Sequence, residues 1–204
     1  MWNPNIETFL ACDAGYSEAT TVLFGAPYDS TTSFRPGTRF GPHAIRSESF
    51  GLESYSPYQD RDLTDYAILD IGDMELRFGG PESALEDIET CTARILSDGK
   101  RPFLLGGEHL VTLGAFRAVQ KQYPDVHIIH FDAHTDLRED YLGEPLSHAC
   151  VIRRCWDLIG DNHIFQFGIR SGDREEWRWG SSHVHTRRFD LQGLNKTVAL
   201  LAGK

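Results

Sequence analysis

Val126–Asp136, VHIIHFDAHTD, changes character half-way along. Val126, Ile128, Ile129 and Phe131 make an apolar run of strand length. Asp132, His134 and Asp136 then follow at every other position. In extended backbone the side chains at i, i+2 and i+4 point the same way, so the second half sets two acids and a histidine on one side of a strand end. Two carboxylates that close repel each other, and burying them unpaired is costly. A positive charge belongs among them.

The flanking sequence supplies the fold class. Short apolar runs at Thr21–Gly25 (TVLFG), Ala67–Ile71 (AILDI), Pro102–Leu105 (PFLL), Val126–Phe131 (VHIIHF) and Ile164–Ile169 (IFQFGI) are expected strands. Between Pro81 and Asp98 the residues Ala84, Leu85, Ile88, Cys91, Thr92, Ile95 and Leu96 recur at helical spacing. Pro81 suits a first helical turn, and Gly99 follows the last one. Acids crowd the first half of that helix (Glu82, Glu86, Asp87, Glu89) and Arg94 and Lys100 lie toward its end, as the helix dipole favours. Further helices are expected over Thr112–Tyr123 and Ala149–Ile159. Strand alternating with helix implies an α/β protein with a mostly parallel sheet between helices. Ligands of such sheets gather outside the carboxyl ends of the strands, where Asp132, His134 and Asp136 fall. With no repeat, low-complexity tract or linker in view, residues 1–204 are expected to form a single domain.

Composition narrows the partners. Apolar residues make up 40% and charged residues 25%, ordinary for a globular protein. A formal net charge of -10 argues against nucleic acid and favours a small cationic molecule. The N-terminus has no basic segment followed by an apolar run, so no signal peptide is expected. No stretch approaches the ~18 apolar residues of a membrane span. Cys12, Cys91, Cys150 and Cys155 form no paired motif and read as reduced thiols of a cytoplasmic protein.

The expected strand PFLL runs straight into GGEH, so His109 also stands just past a strand end. Gly106 and Gly107 permit a tight turn and close backbone approach there. Two neighbouring strands would then converge His109, Asp132, His134 and Asp136. Imidazole with several carboxylates suits manganese and, less selectively, iron, cobalt, nickel or zinc. Carboxylates can bridge two cations ~3.5–4 Å apart that share and activate a water. His127, His130, His183 and His185 read as packed or surface histidines outside this centre.

These motifs resemble those of the ureohydrolases, the arginase–agmatinase family, and the likeness extends over nearly the whole chain. GGEH is similar to the family's GG[DE]H motif, DAHTD to its DAHxD motif, and LSHAC to its SHG region. GAPYDSTTSFRPGTRFGPHAIR (Gly25–Arg46) resembles its N-terminal region. GLESYSPYQDRDL (Gly51–Leu63) and FGIRSGDREEW (Phe167–Trp177) are similar to bacterial agmatinases. The resemblance implies a three-layer fold and two Mn2+ ions, His109 binding one and His134 the other, with Asp132 and Asp136 completing what this stretch contributes. It implies His148 as a proton shuttle, with Ala149 standing where the family has glycine. It implies hydrolysis of the guanidinium of agmatine to putrescine and urea in polyamine biosynthesis, with Asp136 giving the proton to the departing amine, and a homo-oligomer, trimer or hexamer. The acids Glu139, Asp140 and Glu144 of Leu137–Ser147 are candidates to receive the second cationic end of agmatine. Guanidinobutyrate or arginine as substrate, or a truncated, metal-poor, non-enzymatic homologue, are the alternatives. The family's later strand ending in D-x-D is expected to begin about where TVALLAGK stands. Four of six ligands are therefore expected here, with the C-terminal third missing and the 204 residues inactive alone.

Overall fold

A computed structural model describes residues 7–203. Strands β1 (Thr21–Ala26), β4 (Ile68–Asp73) and β5 (Arg101–Gly106) form a parallel sheet ordered β4-β1-β5. A second parallel sheet is ordered β6-β7-β8, from β6 (Ile128–Phe131), β7 (Ile164–Ile169) and β8 (His185–Arg188). Between β1 and β4 lie helix α1 (Gly41–Ser49) and a short antiparallel pair, β2 (Tyr55–Ser56) with β3 (Arg61–Asp62). Helices α2 (Pro81–Ser97), α3 (Val111–Gln122), α4 (Val151–Ile159), α5 (Arg174–His183) and α6 (Leu194–Leu201) fill most of the remaining connections. The α/β alternation and parallel strands match the expectation, but the strands divide into two sets. Among the described residues β5 and β6 each keep an unpaired edge, on which Phe103 and Phe131 are more than half exposed.

Helices α2, α3 and α4 join the two sets. Val22 and Phe24 of β1, Leu85 and Ile88 of α2, Leu113 of α3, Ile152 of α4 and Ile164 of β7 belong to one buried cluster. Burying an Ile or Leu of this kind contributes about 1.5–3 kcal/mol each. Gly114 is what lets α3 lie so close on α2: a Cβ there would sit 2.8 Å from the Leu85 carbonyl. Outside the core, Arg117 reaches Glu82 and Lys121 reaches Glu89 between the same two helices.

Two expectations change. TVALLAGK does not begin a strand, because Leu194–Leu201 is helical. Leu194, Val198 and Leu201 fall at helical spacing. The Gly193 carbonyl accepts the Lys196 and Thr197 amides, which starts the helix. The strand expected from Val126 begins instead at Ile128, since the Val126 amide still closes the turn after α3 on the Tyr123 carbonyl.

An ion cluster built on the buried Arg46–Asp70 pair fixes α1 against β4. Arg46 Nε is 2.7 Å from Asp70 Oδ2 and its Nη2 is 2.9 Å from Asp70 Oδ1, and Asp73 takes Nη1. Arg46 is 2% exposed, and Asp70 also accepts the Phe9 and Gly72 amides at 2.8 and 2.9 Å.

Candidate metal centre

The chain turns sharply after β5 and can do so because residue 107 is glycine: a Cβ there would lie 2.0 Å from the Tyr28 carbonyl oxygen. The close approach lets the Gly107 amide donate to Ala26 at 3.0 Å and the Glu108 amide to Tyr28 at 2.7 Å. Glu108 turns inward, is 4% exposed, and accepts the Thr31 amide at 3.0 Å and the Thr31 hydroxyl. Burial pushes its carboxyl above the usual range, and the two Thr31 bonds pull partly back. Thr31 Oγ1 in turn accepts the His148 amide at 3.3 Å, tying the GGEH turn to the LSHAC segment. The next residue, His109, is thereby delivered to the carboxyl end of β5.

After β6 the backbone does not stay extended as the alternation suggested. Asp132 Oδ1 accepts the His134 amide at 2.8 Å, a local turn. Asp136 has φ 52°, in the left-handed region. Its carbonyl accepts the Ile152 and Arg153 amides of α4, both at 3.1 Å. Glu176 of α5, 5% exposed, clamps this loop by accepting the Leu137 amide at 3.1 Å and the Thr135 hydroxyl.

The result is a tight group. His109 Nδ1 lies 2.7 Å from Asp136 Oδ2 and 3.6 Å from Asp132 Oδ2. Donor atoms of His109, His130, Asp132 and Asp136 all lie within 4.8 Å of one another. Burial pushes the His109 imidazole down, but its bond to Asp136 and the charges of Asp136 and Asp132 outweigh this and raise its pKa overall. For Asp132, burial works upward and loses to the His130 and His134 hydrogen bonds and to nearby histidine charge, so the carboxyl is held well below its usual range. Among the described residues no lysine or arginine lies within 4.0 Å of Asp132 or Asp136. Nitrogen and oxygen donors held this close, around carboxylates that no fixed cation neutralises, fit divalent metal ions.

His109, Asp132 and Asp136 are brought together as the sequence suggested. His134 stands apart from the four-donor group: its side chain is 63% exposed, with Nδ1 3.3 Å from Asp132 Oδ1. His148 opens the short 3-10 turn His148–Cys150 before α4, and its buried Nδ1 has no hydrogen-bond partner. All five residues line one cavity of about 680 Å³. The same walls carry Glu108, Asp173 and Glu176, against a single arginine, Arg138. Glu139, Asp140 and Glu144 do not line it. Each has a local partner instead: Glu139 pairs with Arg153 at 2.6 Å, Asp140 accepts the Gly143 amide at 2.9 Å, and Glu144 accepts the Leu146 amide at 2.8 Å.

His130 is a packed histidine, 6% exposed, but it stands against the centre rather than outside it, with Nε2 3.3 Å from Asp132 Oδ2. Gln166, fully buried on the neighbouring strand, explains its orientation. Thr186 donates to Gln166 Oε1 at 2.9 Å, while Gln166 Nε2 faces the Thr135 carbonyl at 2.7 Å and His130 Nδ1 at 3.1 Å. That order assigns the imidazole proton to Nε2, so His130 donates to Asp132 and orients it. One signal was available: the alternation Asp136, His134, Asp132 extends back one more step to His130.

Carboxylates and imidazoles gathered at the ends of parallel strands, without a fixed cation, make this a candidate divalent-metal centre in an α/β protein. Comparison makes this specific. The family model described as Arginase family matches residues 19–202, and the chain belongs to that family. It is 49% identical over 200 residues to an agmatinase of Bacillus subtilis, an alignment covering 97% of this chain and 69% of that one. A crystal structure described as a putative agmatinase from Clostridium difficile superposes with a TM-score of 0.90 at 49% identity, over 93% of this chain and 70% of that one. The agmatine ureohydrolase of Thermoplasma volcanium superposes at 0.86 with 38% identity, over 97% of this chain and 68% of that one.

Proposed function

We propose that the protein is an agmatinase, hydrolysing the guanidinium of agmatine to putrescine and urea for polyamine synthesis. The observation that carries this reading is the His109–Asp132–Asp136 group in an acid-lined cavity of about 680 Å³, a setting for a cation without a carboxylate. Residues 1–204 are read as one hydrolase domain of a cytoplasmic homo-oligomer. Free cysteines support a reducing compartment. No helix among the described residues is long and apolar enough to cross a membrane.

His109, Asp132, Asp136 and, at the cavity mouth, His134 would hold two Mn2+ ions. When bound, such ions acidify water and neutralise developing negative charge. The acidic walls draw in and orient the guanidinium. As water adds to the guanidinium carbon and the bond to the alkylamine breaks, Asp136 takes a proton from that water and passes it to the departing nitrogen. His148, lining the same cavity with an unpartnered Nδ1, carries protons between Asp136 and solvent. Four donors bring two negative charges to ions carrying four positive ones, so the 204 residues by themselves should hold the pair weakly and release little urea.

The test is urea release by the native protein, its length fixed by intact mass, with Mn2+ and a panel of agmatine, arginine and guanidinobutyrate. The highest kcat/KM is expected for agmatine. A preference for arginine or guanidinobutyrate would reassign the substrate.

A further inference from the structure

A second group of ligating side chains lies at the opposite end of β6 and β7. The two strands enter with the same tripeptide pattern, Asp125-Val126-His127 and Asp161-Asn162-His163, and pair in parallel with Ile128 opposite Ile164. The repeat sets two imidazoles side by side, ring centroids 4.5 Å apart. Each ring is held alike: His127 Nδ1 lies 2.8 Å from the Asp125 carbonyl and His163 Nδ1 lies 2.8 Å from the Asp161 carbonyl. A carbonyl oxygen only accepts, so both Nδ1 atoms carry the proton and both Nε2 atoms keep a free lone pair. This is how ligating histidines are commonly oriented, through a backbone carbonyl on the other nitrogen.

The two aspartates differ. The Asp161 carboxylate is engaged by Trp156 Nε1 at 2.9 Å and His183 Nδ1 at 2.7 Å. Asp125 has no lysine or arginine partner among the described residues, and its Oδ1 lies 3.6 Å from His163 Nε2. That is too long for a hydrogen bond. It is close to the ~3.3 Å that separates two ligands on a tetrahedral ion with bonds of about 2.0–2.1 Å. One donor atom from each of Asp125, His127 and His163 lies within 4.8 Å of the other two.

We propose that Asp125, His127 and His163 form a second divalent-metal site, with water completing the coordination. Two imidazoles and one carboxylate select Zn2+, Ni2+ or Cu2+ over Mn2+. From residue 127 to residue 132 the chain advances roughly 16 Å, so the site is separate from the catalytic group. Bound metal staples the starts of β6 and β7 together, beside the unpaired edge of β6.

The probe is Zn2+ alone, titrated into the full chain by calorimetry after chelator treatment, with Co2+ absorption as a second readout. The unsubstituted protein is expected to bind one more Zn2+ than His163→Gln or His127→Gln. His109→Ala should keep that extra ion although it damages the catalytic group, so the test stands apart from the agmatinase reading. The Co2+ bands of the extra site should vanish in His163→Gln and persist in His109→Ala. Equal Zn2+ stoichiometry and affinity in His163→Gln and the unsubstituted protein, with both folded by circular dichroism, would overturn the proposal.

Discussion

Two places in the molecule bring a pair of carboxylates close together, one of each pair buried, and they resolve the same electrostatic problem differently. On β4, Asp70 and Asp73 meet Arg46, a cation built into the chain and 2% exposed. Beyond β6, Asp132 and Asp136 meet imidazoles and, among the described residues, no arginine or lysine, with His109 at 2.7 Å from Asp136 and His130 at 3.3 Å from Asp132. The first arrangement is permanent, and Asp70, which takes two Arg46 nitrogens and two backbone amides, has no capacity left for a ligand. The second leaves charge for a cation that can arrive and leave. The chain thus spends arginine where it needs rigidity and withholds it where it needs chemistry.

Substitutions should separate the two. Arg46→Ala strands a buried carboxylate and should cost about 3–5 kcal/mol of stability, unfolding the chain at moderate temperature or urea concentration. Added Mn2+ should not rescue it; a near-normal melting curve would show the pair to be dispensable. In the complete protein loaded with Mn2+, His109→Ala should leave folding almost intact while removing Mn2+ from the His109–Asp132–Asp136 group, by elemental analysis, and nearly all urea release. Retention of two tightly held ions would sink its assignment as a ligand. His148→Ala should slow turnover on the order of a hundredfold, the low end of acid–base effects, with normal metal content and partial recovery on adding imidazole. Loss of metal in that variant would make His148 a ligand instead. The mildest change is expected for His130→Ala: metal affinity reduced roughly 10–100-fold, as for other groups that orient a ligand, with turnover recovering at saturating metal. Turnover that stays low at saturating Mn2+ would place His130 in direct contact with metal or substrate.

Much of this was readable in the sequence wherever a pattern is local. Apolar runs located β1, β5 and β7 to within a residue or two, and the spacing of Ala84, Leu85, Ile88 and Ile95 gave α2. Strand ends bearing GGEH and DAHTD pointed to the cavity that His109, Asp132, His134 and Asp136 line. What escaped depends on partners distant in the chain. The orientation of His130 is set by Gln166, its register neighbour on β7, which no local pattern reveals. The side-chain placement of His134 follows from the turn at Asp132 and the left-handed Asp136, where alternation no longer applies. Of the acids offered to the second cationic end of agmatine, Glu139 is claimed by Arg153 once α4 docks, whereas Asp140 and Glu144 are turned onto the amides of Gly143 and Leu146 by local turns that composition alone does not show. Helix α5 could have been found: Asp173 and Glu176 form a reciprocal cap, a D-x-x-E signal in plain view.

The φ of 52° at Asp136 has a consequence for what the sequence can become. Among residues with a side chain, aspartate and asparagine accept this backbone most readily. Glycine would accept it but brings no oxygen to His109, and asparagine brings oxygen without charge. Glutamate keeps the charge, but its extra methylene misplaces the carboxylate, and it lacks the conformational tolerance. Backbone geometry and charge thus each shorten the set of acceptable residues, and the two sets overlap at one. Mutational drift at position 136 is closed off, whereas His134, exposed at the cavity mouth, sits on backbone that makes no such demand.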